Sequence, residues 1–362
     1  MSGNPENDDE DQFRPVWETE DEDVPPGAGP RVRKPALEPD YDYLLLVPLA
    51  SAQNAVARLE AKLEMASDAV AQGLRGRMAY REAAGWLRHA HLWIHPWDLA
   101  LRDSGLTNSY GAAAYGDRLA TVLPTTVVQE PEFVDTAPSD TIANQALRFA
   151  ELWRRLAELR TWRPLADAVV LRKTLQNLGS RMPQEADIED WLASVDLLRG
   201  PPLIRAGQGA RDWMNLPGIK ENSLDSVFLA ACILRGTGLC PIALPFWSAP
   251  ELHHHRMTLR VGLKWMHAFL ECVTAAALTG LRELDRLREI ETKAQLLGIT
   301  ARSRLPATAD AVLRTPIVTA RSLAAMLHIT PQAALGLLRQ LTAAGIVQEA
   351  TGRQSWRAFT LT

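Results

Sequence analysis

Cysteine is scarce in this 362-residue chain: Cys232, Cys240 and Cys272 are all it has. An odd number, at spacings of eight and thirty-two residues, excludes a complete disulfide framework and matches no zinc pattern. Buried free thiols in a reducing cytoplasm are the expectation. Long apolar runs are missing too. Leu44 to Pro48 is too short to span a bilayer, and the run Val227 to Trp247 is interrupted by Arg235, Gly236, Gly238 and two prolines. The N-terminus is acidic where a signal peptide would be basic and then apolar. A soluble, cytoplasmic protein without a membrane partner is therefore expected.

The usual signatures of catalysis are also absent. There is no Gly-rich phosphate loop, no nucleophile elbow and no paired-carboxylate pattern. Two histidine groups invite a metal reading. His91 and His95 would share a face if both were helical, but Pro96 breaks the segment and no zincin glutamate follows. His253-His254-His255 is consecutive, so on a helix the three rings diverge and cannot ligate one ion. The chain thus reads as non-enzymatic, with no metal and no cofactor. Strand signals are few, and no repeat of fixed period is present. The eleven tryptophans are scattered one or two per helix, as packing anchors rather than a stacking platform for single strands.

Charge of one sign is missing where it matters. The formal net charge of −4 argues against a generally basic coat. The average hides three regimes. Residues 1–23 carry ten acidic side chains against Arg14 alone, whereas residues 301–362 carry seven arginines against Asp310 and Glu349, a net of +5. No lysine occurs after Lys293. Positive charge collects at the C-terminal end, as phosphate binding requires.

That end also has the clearest local pattern. A short helix is predicted over Ala320 to Leu327, with Leu323, Ala324 and Leu327 as its apolar face, then a tight turn at His328-Ile329. Thr330 is an oxygen-bearing N-cap and Pro331 suits the first helical position, so a second helix starts there. Its apolar face is Ala334, Leu337, Leu338 and Leu341, and Gly345 suits its C-cap. Two helices joined by a short turn make a helix-turn-helix unit. Strands expected at 346–350 and 355–361, with a turn at Thr351-Gly352-Arg353, make it a winged variant.

Upstream, residues 1–40 combine acidic runs with prolines and glycines and read as a disordered tail. Residues 41–298 read as an all-helical domain and 299–362 as the winged helix-turn-helix. The fold class is mainly α. Apolar faces run through Val56, Leu59 and Leu63, then Val70, Leu74 and Met78. A helix is expected from Ser109 to Val122, another from Thr141, and others at about 164–178, 184–199 and 223–235. From Met257 to Leu297 apolar residues recur every three or four positions, as a core helix or a dimer seam. Gly280 could divide this stretch, and the charges from Arg282-Glu283 to Glu291 would form its solvent face.

Several segments carry a resemblance: Tyr80-Arg81-Glu82-Ala83 with Trp86, Ile94-His95-Pro96-Trp97-Asp98-Leu99, Trp265-Met266 with Phe269-Leu270, and the turn Glu349-Ala350-Thr351-Gly352-Arg353. In these parts and their order the chain resembles a group of alphaproteobacterial, often plasmid-borne, proteins of unknown function with a C-terminal helix-turn-helix. It is also similar, distantly, to the non-catalytic parts of Fic-type adenylyltransferases. The Fic loop that cradles nucleotide phosphates is lacking, so adenylyl transfer is not implied.

The functional expectation is a regulator of transcription or plasmid maintenance that binds double-stranded DNA as a homodimer. The helix starting at Thr330 would lie in the major groove. Thr330, Gln332, Ala333, Gly336 and Gln340 would face the bases, with Gln332 reading adenine and Ala333 meeting a thymine methyl. Arg321 and Arg339 would flank the groove, and Arg353 and Arg357 on the wing would reach the backbone. The alternatives are a helical interaction module whose winged helix binds protein, and a degenerate Fic-like protein.

Overall fold

The computed structural model describes residues 43–89, 94–106, 140–158, 163–176, 182–219, 224–238, 243–246, 248, 262–297, 303–351 and 357–362. The tail expected over 1–40, the helix expected from Ser109, and His91, His253–His255, Cys240 and Arg353 lie outside the described residues.

The apolar periodicity of Met257–Leu297 becomes one continuous helix, α9 (Gly262–Gln295), rather than two. Gly280 does not break it, because its missing side chain is needed for packing. A Cβ there would lie 2.9 Å from Leu59 Cδ2 and 3.1 Å from Met78 Cε. Leu59 belongs to α1 (Tyr43–Glu64) and Met78 to α2 (Asp68–His89), and α9 lies along both. Leu270, Val273, Ala277, Leu284 and Leu287 are buried along its length, which makes α9 a core helix as its spacing predicts. The charges after Arg282 do not all face solvent: Glu283 is 5% exposed.

The other helices pack on these three or on one another. They are α3 (Pro96–Asp103), α4 (Asp140–Glu158), α5 (Ala168–Gln176), α6 (Glu185–Leu197), α7 (Pro202–Met214) and α8 (Leu224–Gly236). Helix α7 was not predicted from sequence. Pro201-Pro202 reads as a breaker, yet Pro202 occupies the first turn, where its lost N–H costs nothing. The tryptophans act as anchors, as expected. Trp153, Trp213 and Trp265 are fully buried, and the Trp153 and Trp191 indole N–H groups each donate at 2.9 Å to the carbonyls of Ala243 and Gly209. Cys232 and Cys272 are buried free thiols, and burial pushes both well above the usual thiol range. Among the described residues no helix is long and apolar enough to cross a membrane.

The C-terminal segment adds α10 (Leu305–Arg314), β1 (Val318–Thr319), α11 (Ala320–Leu327), α12 (Pro331–Ala343), β2 (Val347–Glu349) and β3 (Ala358–Leu361). The strands form an antiparallel sheet in the order β1-β3-β2, with Val318 opposite Phe359 and Val347 opposite Leu361. Strand β1 is too short for period-two alternation to reveal it in the sequence. The fold is mainly α, with the helix-turn-helix at the C-terminus.

Candidate nucleic-acid interface

The geometry of α11 and α12 follows from their caps. Thr319 Oγ1 accepts from the Ser322 N–H at 3.0 Å while Ser322 Oγ accepts from the Thr319 N–H at 2.9 Å, a reciprocal capping box. Helix α11 ends on His328 in the left-handed region (φ 52°), the one non-glycine residue with positive φ among those described. That turn lets the Ile329 N–H donate to the Ala324 carbonyl at 3.0 Å and points the chain into α12. Thr330 Oγ1 then accepts from the Ala333 N–H at 3.2 Å, and Pro331 starts the helix, as the sequence predicts. At the other end Gly345, with φ of 67°, allows the Ile346 N–H to reach the Leu341 carbonyl at 2.9 Å. Replacing Thr330 by Ala should cost about 1 kcal/mol, read as a lower urea midpoint with unchanged m-value.

Helix α12 has two unlike faces. Ala334, Leu338 and Leu341 are completely buried against α10, α11 and β2. Leu337, predicted to join them, is half-buried instead, because it is offset toward the opposite face. Thr330, Gln332, Ala333, Arg339 and Gln340 are exposed, and a Cβ added to Gly336 would meet nothing within 4 Å. The structure therefore brings the α12 residues of the predicted site onto one open surface, with Arg321 exposed on α11 beside it.

The arginines are less available than the net charge suggests. Arg314 ion-pairs with Asp68 at 2.6 Å and thereby holds that carboxyl below the usual range. Arg304 donates to the Leu327 carbonyl at 3.2 Å. Arg357, expected to reach a DNA backbone, is half-buried and lies 3.8 Å from Glu349 on the neighbouring strand. Arg321 and Arg339 are the exposed C-terminal cations that make no hydrogen bond or ion pair among the described residues.

The unit is fixed to the helical body from beneath. The buried Arg77 guanidinium of α2 donates to the carbonyls of Leu313 (2.7 Å), Val312 (3.2 Å) and Thr315 (3.2 Å) at the C-terminal end of α10. Those carbonyls have no intrahelical partner, and a cation there also complements the helix dipole. Burial pulls Arg77 down to about 10, with Glu283 opposing that pull, so it stays charged at neutral pH. Arg286 of α9 donates to the carbonyls of Leu361 (3.0 Å) and Thr362 (2.6 Å). Arg77 was not singled out from sequence, whereas Glu283 and Arg286 were read as part of the solvent face of the long helix. His95 caps α3 in extended conformation, its Nδ1 accepting from the Trp97 N–H at 3.2 Å, and so is not itself a helical residue.

These features agree with comparison to known proteins. Residues 305–361 match a family model described as an HTH DNA binding domain. The chain carries a C-terminal helix-turn-helix DNA-binding domain. The match begins at the first residue of α10 and ends in β3, so it takes in the strands as well as both helices. The chain is also similar to an uncharacterized protein, y4cF, of Sinorhizobium fredii, with 28% identity over 225 residues. That alignment covers 53% of this chain and 57% of the relative.

Proposed function

We propose that this protein is a non-enzymatic regulator, of transcription or plasmid maintenance, that reads duplex DNA with α12 in the major groove. The observation that carries the reading is the outer face of α12. It is polar, uncovered and flanked by Arg321 and Arg339, while the inner face is wholly buried. A bare helix of this kind fits a groove about 12 Å wide. Gln332 and Gln340 supply amide donor–acceptor pairs suited to adenine edges, and Gly336 lets the backbone come close. Two free arginines give little affinity from one unit, so a homodimer spanning two half-sites is part of the proposal.

Fluorescence polarisation with random duplex DNA across a salt series tests it. The double substitution Arg321→Ala/Arg339→Ala should weaken binding and reduce the slope of log K against log salt by about 1.8, at about 0.9 per phosphate contact. Arg357→Ala should change the slope much less, because Glu349 already engages that side chain. Binding that ignores salt, or is absent at low salt, would refute the reading and favour a protein-contact surface on α12.

A further inference from the structure

Helix α12 holds a glycine that its own packing does not call for. Gly336 sits in mid-helix, where alanine is the better helix former, yet a Cβ added there would meet no described residue within 4 Å. Gly73 and Gly280, by contrast, lie against backbone or side chains that a methyl would strike. No packing among the described residues accounts for the space over Gly336, and its direction is outward. Ala334, Leu338 and Leu341, at 0% exposure, fix the inward direction of the helix. At about 100° per residue, Gln332 and Gly336 point directly away from it. Ala333 and Gln340 lie to one side of that line and are exposed.

The side chains around that space are uncharged. Thr330 to Gly336 carry no ionisable group, and no Asp or Glu occurs between Asp310 and Glu349. In the major groove, guanine is specified by an arginine or lysine on O6 and N7, and cytosine by a carboxylate accepting from N4. The first two turns of α12 hold neither. They hold the Gln332 amide, which can accept from adenine N6 and donate to N7 at once, and the Ala333 methyl, which suits the C5 methyl of thymine. The Thr330 hydroxyl, the one other polar side chain of these residues, already accepts from the Ala333 N–H at 3.2 Å. Arg339 shares the outward stripe with Gln332 but lies about 10 Å further along the axis, and it is the N-terminal residues of a recognition helix that meet base edges.

We infer that the base pairs read by α12 are A·T pairs, with adenine against Gln332 and thymine methyls against Ala333 and in the space over Gly336. The inference rests on the function proposed above and narrows its target to one class of duplex. At guanine the Gln332 carbonyl oxygen would face O6, a second acceptor, and be left unpaired. At cytosine there is no methyl to fill the space beside Ala333 and Gly336. Phosphates are the same in every sequence, so Arg321 and Arg339 add affinity without altering this preference.

The test is selection of duplexes from a random-sequence pool by the full chain at one salt concentration, followed by polarisation on the selected duplex. The selected half-sites should fix A·T pairs, and a G·C pair placed at those steps should weaken binding by about tenfold. Replacing the adenine by 7-deazaadenine, which lacks N7, or the thymines by uracil, which lacks the methyl, should each weaken binding several-fold, since both changes lie in the major groove. Gln332→Arg should exchange the selected adenine for guanine. Gly336→Ala should raise the urea midpoint and weaken duplex binding, opposite signs that a purely structural glycine would not give. Selected G·C pairs at the contacted steps, including a guanine that Arg339→Ala releases, would overturn the inference. So would binding indifferent to sequence, an A·T preference that ignores both 7-deazaadenine and uracil, or Gln332→Arg and Gly336→Ala variants that both bind as the wild type does. Absence of any duplex binding would refute the DNA reading itself, and the inference with it.

Discussion

Gly73→Ala should be among the most damaging single-methyl additions in the chain, and Gly76→Ala, less than one turn later, should be harmless or stabilising. Both glycines are buried in α2, where replacement by Ala ordinarily gains about 1 kcal/mol of helix propensity. The surroundings decide the sign. A Cβ at Gly73 would fall 2.0 Å from the Leu313 carbonyl oxygen and 2.7 Å from an Arg77 guanidinium nitrogen. The first obstacle is backbone and cannot rotate away, so α10 must move off α2. Overpacking of this kind costs roughly 1–3 kcal/mol or more, and displacing α10 also removes the charged hydrogen bond to Leu313, worth about 1.5–3 kcal/mol. The net expectation is a loss of about 3 kcal/mol. At Gly76 the nearest atoms are the Pro316 ring carbons at 3.7 Å, an ordinary contact. Urea unfolding of the two variants side by side is the measurement. Equal stability would mean that α10 does not rest against Gly73.

The part of this architecture that was legible in the sequence is the part built from local interactions. The turn between α11 and α12 is announced by Thr330-Pro331 and by apolar residues three and four apart, because caps and helical faces are set within a few residues. The same holds for α9, whose long periodicity survives Gly280. What escaped depends on residues far apart. Whether Arg314 is free for DNA is decided by Asp68, which is 246 positions away. Whether Arg357 projects outward is decided by Glu349 across the sheet. Counting charges along 301–362 gives the right sign and overstates what is available, since tertiary pairing consumes part of it. Glu283 was assigned to a solvent face by its charged neighbours, but the arginines of α2 make its burial tolerable.

Helix α2 carries two jobs on adjacent residues. Gly73 makes room for α10, and Arg77 one turn later holds α10's end. Helix α12 packs chiefly on α11, α10 and β2. The body meets the C-terminal unit at Arg77 on the end of α10, at Arg286 on the end of β3 and at the Arg314–Asp68 pair, and Arg77 is the most deeply buried of these side chains.

Arg77→Met should accordingly produce the largest loss from a single side-chain replacement at this joint. Methionine fills much of the volume, so packing changes little and the lost term is polar. Four contacts to carbonyls disappear: Gly73 at 3.0 Å, Leu313 at 2.7 Å, Val312 at 3.2 Å and Thr315 at 3.2 Å. Glu283 keeps Arg81 and Arg286 but loses its most deeply buried counter-charge. Removing one member of a buried, hydrogen-bonded pair costs about 3–5 kcal/mol, because the remaining groups stay buried without partners. Lys62→Ala is the control, removing an exposed pair with Asp285 at 2.7 Å and costing under about 1 kcal/mol. Arg77→Lys keeps the charge but cannot fork across three carbonyls, and should fall between the two. Thermal unfolding ranks the three, while amide exchange in α10 separates local undocking from global loss. If Arg77→Met were no worse than Lys62→Ala, the guanidinium would not be what joins the DNA-binding unit to the helical body.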